Sequence, residues 1–273
     1  MFKVENLTYK YEKDNKALNN ISLDFSKGNM IGIIGSNGSG KSTLFMNLVG
    51  ILKPFSGKIL YDNQALSYKK KELYNLRRNV GIVFQDPDKQ IFYSRVYDDI
   101  AFSLRNIGIE ENEVDKKVNR ALKLVNALDL IDKPVHFLSY GQKKRVAIAS
   151  VIAMENKVIL LDEPTAGLDP ISTKAIIKIL KELCNKGIKV VISSHDMDLI
   201  YDLCDYIYVL NKGNITIEGN SNEVFKDDLK IKEAGLNSPW LVKIHKNMNL
   251  PLFKKEEDLY DYFNKLSISS IIN

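Results

Sequence analysis

The nine residues GSNGSGKST at positions 35–43 restrict the fold of this chain more than any other stretch. They follow the apolar run Met30–Ile34, which reads as a buried strand, and precede residues 44–49, which read as the first turns of a helix. Strand, glycine-rich turn and helix is the setting in which G-x-x-x-x-G-K-[ST] forms a phosphate-binding loop. Gly35, Gly38 and Gly40 let the backbone curl, so that the N–H groups of the loop (Ser36, Asn37 and Ser39 included) face one concavity. The helix adds its positive N-terminal end and Lys41 a full charge near the β- and γ-phosphates. Ser42 offers a hydroxyl to Mg²⁺, and Thr43 can reach an inner phosphate. The stretch is a nucleoside triphosphate site, and the motif alone does not say which triphosphate.

Such a loop needs a parallel sheet behind it, and the rest of the chain supplies one. Residues 2–9 and 18–26 alternate apolar and polar and predict two antiparallel strands across a polar turn. Residues 58–61 and 80–84 read as strands on either side of a basic helix at about 69–78. From residue 86 to about 150 the pattern becomes helical. Val114, Val118, Ala121, Leu122, Val125 and Leu128 form one helix stripe, so a helix is expected over 114–130. Strand–helix alternation returns with apolar strands at 158–161 and 188–193, each followed by a helix. Residues 206–210 and 214–218 read as a hairpin across Lys212-Gly213. Apolar strands joined by helices argue for an α/β fold with a mostly parallel sheet, an N-terminal antiparallel β subdomain and a helical subdomain at about 86–150. Beyond residue 220 the composition shifts. Ser221 reads as the cap of one short helix at 222–235, and Pro239 and Pro251 break up the remainder. Residues 1–220 are expected to form the main domain and 221–273 a small extension.

Composition excludes several function classes. The net charge of +5 arises from lysines and arginines scattered among 34 acids, with no polybasic tail to argue for nucleic acid. Two cysteines, Cys184 and Cys204, are too few for a zinc site and read as small buried hydrophobes of a reducing compartment. No run approaches the roughly 18–20 apolar residues that cross a bilayer, and MFKVENLTYK is no secretory leader. A soluble, cytoplasmic chain is expected.

A second constellation complements the loop. VILLDEPTAGLDP at 158–170 places two carboxylates directly after a buried strand. Asp162 is expected to hold Mg²⁺ through its water shell, because Mg²⁺ dehydrates reluctantly. Glu163 would project toward the γ-phosphate and polarise the attacking water, an assistance typically worth ~10²–10⁴-fold. LSYGQ at 138–142 opens a helix with a serine, a glycine and free N–H groups, a second anion-binding terminus. His195, in SSHDMD, stands at a strand end before a helix, a place suited to γ-phosphate contact.

In order, these motifs resemble the ATP-binding-cassette ATPases over about residues 2–220. The resemblance implies ATP and Mg²⁺ as ligands and assigns roles residue by residue. Tyr11 looks like the adenine-stacking aromatic, with Tyr9 a weaker candidate. Gln85 looks like the Gln-loop residue that contacts Mg²⁺ and the water. Ser139, Gly141 and Gln142 look like the signature, whose serine and glycine grip the γ-phosphate of an opposing subunit. Asp162 and Glu163 match the Walker B pair, Asp169 the D-loop and His195 the switch. Tyr140 departs from the pattern, standing where the family carries a glycine, and is expected to add bulk at a dimer face. In the family ATP is sandwiched between Walker A of one subunit and the signature of another, so a head-to-tail partner ATPase, identical or merely similar, is implied.

FQDPDKQIF at 84–92 is similar to the energy-coupling-factor type of vitamin and cobalt/nickel importer ATPases. There a short acidic, glutamine-containing helix meets a transmembrane coupling subunit, and Asp86, Asp88 and Gln90 are the matching positions. That resemblance implies a peripheral subunit on the cytoplasmic face of the cell membrane, powering import of a solute captured by a separate membrane protein. The runner-up is the ATPase of another importer or exporter. A soluble clamp on nucleic acid is disfavoured because there is one motif set, no sustained heptads and no zinc insertion.

Overall fold

The computed structural model describes residues 1–12 and 15–272. The chain begins with β1 (Phe2–Lys10), β2 (Lys16–Asp24) and β3 (Met30–Ile34), followed by α1 (Lys41–Leu48). Next come β4 (Ser56–Tyr61), β5 (Gln64–Ala65), α2 (Lys70–Asn79) and β6 (Val80–Val83). Three helices follow, α3 (Val96–Asn106), α4 (Glu111–Leu124) and α5 (Tyr140–Ala153). The core then resumes with β7 (Val158–Asp162), α6 (Pro170–Asn185), β8 (Lys189–Ser194), α7 (Met197–Leu203), β9 (Tyr206–Asn211) and β10 (Asn214–Asn220). The chain finishes with α8 (Ser221–Val224), α9 (Asp228–Glu233), α10 (Trp240–Met248) and α11 (Glu256–Ile272).

Two sheets form. β2-β1-β4-β5 is antiparallel throughout, and β10-β9-β3-β8-β7-β6 is parallel except for the β9–β10 hairpin. This is the α/β architecture with an antiparallel N-terminal sheet that the strand pattern predicts. Continuous apolar strands arise because the six-stranded sheet is covered on both faces. Its alternate residues divide between two cores. Ile31, Ile33, Val158, Leu160 and Val191 face the antiparallel sheet and α1, where Leu44, Phe45 and Leu48 meet them. Ile34, Ile159, Leu161, Val190 and Ile192 face the helices. Truncating one of these fully buried isoleucines to Ala is expected to cost about 2–5 kcal/mol.

Several boundaries differ from the sequence expectation. β2 ends at Asp24, whose carboxylate accepts from Ser26 N (2.8 Å) and turns residues Phe25–Lys27 into a 3-10 turn. The helix expected over 114–130 starts earlier and stops at Leu124. Asn126 takes a left-handed φ of 54°, and Ala127 N donates to Leu122 O while Asn126 N donates to Lys123 O, a Schellman ending. The single helix expected at 222–235 is two. Asn220, not Ser221, caps α8 in a capping box with Glu223, and Asp227 caps α9. Val224, Phe225, Ile231, Leu241 and Leu259 join the same core as the sheet's helix-facing side. Tyr201 of α7 donates to Asn222 Oδ1 and Phe253 O, and Trp240 N donates to Asp198, which bind the last helices to α7.

Candidate functional site

Register decides where the site lies. β8 sits between β3 and β7, pairing Ser194 with Ile34 and Ser193 with Asp162. The loops after these three parallel strands therefore leave the sheet at one edge, the carboxyl end, where ligands of open α/β sheets bind. A cavity of about 690 Å³ opens there, lined by Tyr11, Gly38, Lys41, Ser42, Gln85 and Glu163, among others.

The 35–43 loop forms one wall. Gly35 is required by close approach, since a Cβ there would lie 2.2 Å from Leu210 O. Gly40 takes a φ of 111° as the N-cap of α1, and no side chain caps that helix. The first N–H groups of α1 are thus left for a ligand, beside the helix's positive end. Lys41 is buried, and its Nζ donates to Gly35 O (2.8 Å) and Ser36 O (3.2 Å) while lying 4.0 Å from Glu163 Oε1. Burial pushes the Lys41 ammonium below the usual lysine range, against the opposing pull of Glu163 and Asp162. Ser42 is exposed to the cavity, and Ser39 Oγ is buried with no hydrogen-bond partner among the described residues.

The opposite wall is acidic. Asp162 accepts from the Ser193 hydroxyl. Glu163 is buried and adopts a φ of 48°, a left-handed conformation that costs a non-glycine residue about 1–3 kcal/mol. It is held there by its own N–H, which donates to Ser193 O and Ser193 Oγ (both 3.1 Å), and by Lys144 Nζ, which donates to its carbonyl (3.2 Å). His195 Nδ1 lies 2.9 Å from Glu163 Oε2, while Glu163 Oε1 is buried with no hydrogen-bond partner among the described residues, its nearest cation being Lys41 at 4.0 Å. Ser42, Gln85 and Asp162 bring a hydroxyl, a carboxamide and a carboxylate to the one cavity. Such hard oxygen donors fit Mg²⁺. Among the described residues no three His, Cys, Asp or Glu side chains cluster as a metal cage.

LSYGQ stands apart from this cavity. Ser139 caps α5 through a capping box: its Oγ accepts from Gln142 N (3.3 Å), and Gln142 Oε1 accepts from Ser139 N (2.9 Å). Ser139 and Tyr140 are exposed, and no residue of LSYGQ lines the cavity. Within one subunit LSYGQ therefore lies outside the cavity that holds Lys41 and Glu163.

A family profile described as ABC transporter matches residues 18–166. The cobalt import ATP-binding protein CbiO of Salmonella paratyphi A is 46% identical over 265 residues, 97% of each chain. The energy-coupling factor transporter ATP-binding protein EcfA of Methanocaldococcus jannaschii is 44% identical over 252 residues, 91% of this chain and 90% of its own. Among solved structures, CbiO1 of Clostridium perfringens, described as part of the ABC transporter complex CbiONQ, has a TM-score of 0.77 at 45% identity, covering 90% of this chain and 98% of its own. The chain belongs to the ABC transporter ATP-binding proteins.

As an ABC ATPase it binds ATP and hydrolyses it, and the residues named from sequence can be located accordingly. Of the 35–43 loop (Walker A), Asn37, Gly38, Gly40, Lys41, Ser42 and Thr43 line the cavity with Gln85, Asp162 and Glu163, while Gly35, Ser36 and Ser39 stand behind them. His195 reaches it through Glu163. Tyr11 lines it, more than half exposed, with its hydroxyl 3.0 Å from Thr43 Oγ1; Tyr9 is not in the lining but supports the Tyr11 ring edge-on at 5.0 Å. Asp169 caps α6, accepting from Ile171 N and Ser172 N. Tyr140 packs over Gly167 of the D-loop, and its hydroxyl donates to Gln85 O (3.0 Å). Of the three positions matched to coupling, Asp86 caps the 3-10 turn Pro87–Lys89 and Asp88 pairs with Lys143 (2.7 Å). Gln90 is half-buried: its Oε1 accepts from Phe84 N and its Nε2 donates to Ala147 O, and it also lines a groove between the sheet and the helical part.

Sequence reasoning missed Lys16, Lys212 and Gly213 in the lining, and Lys144 behind it. Lys212-Gly213 was legible only as a hairpin turn. That turn braces the loop through Gly213 N to Ser39 O (3.0 Å), a contact across more than 170 residues that no local pattern announces.

Among the described residues no helix is long and apolar enough to cross a membrane.

Proposed function

We propose that this chain is the ATP-binding and hydrolysing subunit of an energy-coupling-factor type importer of a micronutrient, a vitamin or a cobalt or nickel ion. Residues 1–220 would be the ATPase domain, with 86–150 its helical part and 221–273 an extension. The observation that carries the reading is the division of the site. Asn37, Gly38 and residues 40–43 line one cavity with Gln85, Asp162 and Glu163, whereas the exposed Ser139 and the half-buried Gly141 and Gln142 lie outside it. The extensive identity to CbiO and EcfA supports the importer class.

In this reading Tyr11 stacks on adenine, and the N–H groups of residues 35–43 with Lys41 hold the phosphates. Ser42, Gln85 and Asp162 would hold Mg²⁺, which when bound neutralises phosphate charge. Glu163 accepts the proton of the attacking water, and His195 orients Glu163 and reaches the γ-phosphate. A second ATPase subunit, the same or a similar chain, presents its Ser139 and Gly141 head-to-tail. ATP then binds fully only in the closed pair, and loss of the γ-phosphate reopens it.

The transmembrane coupling subunit would dock from the membrane onto a groove of about 360 Å³ between the sheet and the helical part. Ile51, Phe92 and Phe102 are exposed along it, next to the acidic turn at Asp86 and Asp88. The chain would thus work at the cytoplasmic face of the membrane, with a separate membrane protein capturing the solute and no role for nucleic acid. Purification of the tagged chain from its native membranes tests this. Co-recovered membrane subunits should, in vesicles, take up the metal ion or vitamin only with ATP. Recovery of nucleic acid without any membrane protein overturns the proposal.

A further inference from the structure

Lys144 is a buried cation whose Nζ touches both the segment after β6 that carries Gln85 and the segment after β7 that carries Glu163. It is fully buried on α5, one turn after Tyr140. Its ammonium donates to Gln85 O (2.5 Å), Glu163 O (3.2 Å) and Phe84 O (3.4 Å). Phe84 and Gln85 leave the end of β6, and Glu163 leaves the end of the neighbouring parallel strand β7. Past the last ladder bond these carbonyls have no strand partner in register, and a single three-donor ammonium gathers them. The same face of α5 adds three more ties to the loop. Tyr140 donates to Gln85 O, Lys143 pairs with Asp88, and Ala147 O receives Gln90 Nε2. Residues 140, 143, 144 and 147 share one helical stripe, so the helix that begins with LSYGQ carries the whole set.

We propose that Lys144, assisted by Tyr140, is a positioning residue that locks the backbone of Gln85 to that of Glu163, so that the signature helix sets the Gln loop and the catalytic carboxylate together. It rests on the ATPase reading above but names a connection within one subunit. A bare cation filling space would not need three carbonyls from two strand ends. Glu163 moreover sits in a left-handed conformation that must be held in place: Ser193 takes its N–H, while Ala166 N (3.3 Å) and Lys144 Nζ (3.2 Å) both donate to its carbonyl, and Lys144 is the one of these that also reaches Gln85. A tilt of α5 then reaches Gln85 and Glu163 through the same nitrogen atom. Tyr140 follows as a second donor to Gln85 O, which gives the non-glycine signature residue a use within its own subunit.

The full-length chain with Lys144→Met, Lys144→Gln or Tyr140→Phe tests the tie. Three measurements are made: fluorescent-ATP affinity, kcat, and hydrogen exchange of the nucleotide-free protein. Lys144→Met removes all three donors at similar length, and kcat is expected to fall at least about tenfold with ATP affinity changed less than about twofold. Exchange at 84–90 and 163–166 should rise together. Lys144→Gln restores two N–H donors and should recover much of the protection and of kcat. Tyr140→Phe should lower kcat about two- to threefold and loosen 84–90 alone. A merely structural lysine would instead weaken ATP binding in step with kcat, or leave Gln as impaired as Met; either result overturns the proposal. Should Lys144→Met not fold, unchanged exchange at 84–90 in Tyr140→Phe also overturns it. Exchange does not depend on turnover, so the tie can fail while the ATPase assignment stands.

Discussion

Two helix N-termini in this chain carry glycine-containing motifs, and they are built in opposite ways. α1 starts at Gly40 with no side-chain cap, its first N–H groups facing a cavity that its own subunit furnishes with Lys41, Gln85 and Glu163. α5 starts at Ser139, which satisfies an N–H of its own helix and is satisfied in return by Gln142. The hydroxyl that accepts from Gln142 N keeps its O–H free to donate outward. The first terminus is ready to bind anion from within. The second is self-supporting and exposed, able to add one donor to a ligand brought by another molecule. An uncapped helix start is costly unless a ligand completes it, whereas a capped one can wait on the surface.

The comparison can be broken most severely at Lys41. Lys41→Ala should lower ATP affinity by about 100-fold or more by removing the charge at the phosphates, with little change in thermal unfolding because the ammonium is already desolvated. Normal ATP binding by this variant, measured by fluorescence titration, would show that α1 is not the phosphate terminus.

Next in size of effect on turnover is Glu163→Gln. Hydrolysis should fall ~10²–10⁴-fold while ATP binding persists. Size-exclusion chromatography in ATP and Mg²⁺, with the native partner ATPase present, should then show a stable dimer. Only monomers under those conditions would count against the two-chain site.

Ser139→Ala sharpens the contrast from the other side. Loss of the cap should destabilise the chain by about 0.5–2 kcal/mol, read by denaturant unfolding. ATP affinity of the isolated monomer should not change, because Ser139 lies outside the cavity. A monomer that loses ATP affinity would place Ser139 inside its own site.

The smallest expected effect is at Asp88, exposed and paired with Lys143. Asp88→Lys should leave basal ATPase and stability nearly unchanged, since an exposed ion pair is worth roughly 0–1 kcal/mol. Reconstituted uptake should drop as an acidic contact to the membrane subunit is reversed. Unaltered uptake would remove Asp88 from the coupling surface.

Much of this was legible in the sequence where the signal is local. The strand at Met30–Ile34, the loop at 35–43 and the Asp162-Glu163 pair depend on period, glycine spacing and neighbours within a few residues. Local patterning erred where a single residue ends a helix from within an apolar stripe. Asn126, by turning left-handed, stopped α4 short of Leu128, although the stripe continues. It erred again where polar residues compete for one cap, Asn220 prevailing over Ser221.

What the sequence alone determined, then, is the chemistry of local pieces: a triphosphate cradle, its acids and a serine-capped helix start at LSYGQ, because each is encoded by contiguous residues. Only the tertiary structure decided which of these meet. The insertion of β8 between β3 and β7 brings Lys41 and Glu163 to one cavity, and it leaves LSYGQ outside that cavity. It also tied Gln90 to Ala147 and placed Lys144 beneath the loops that carry Gln85 and Glu163. Those outcomes rest on strand order and on contacts between residues about 20 to 130 positions apart, distances over which side-chain periodicity carries no information.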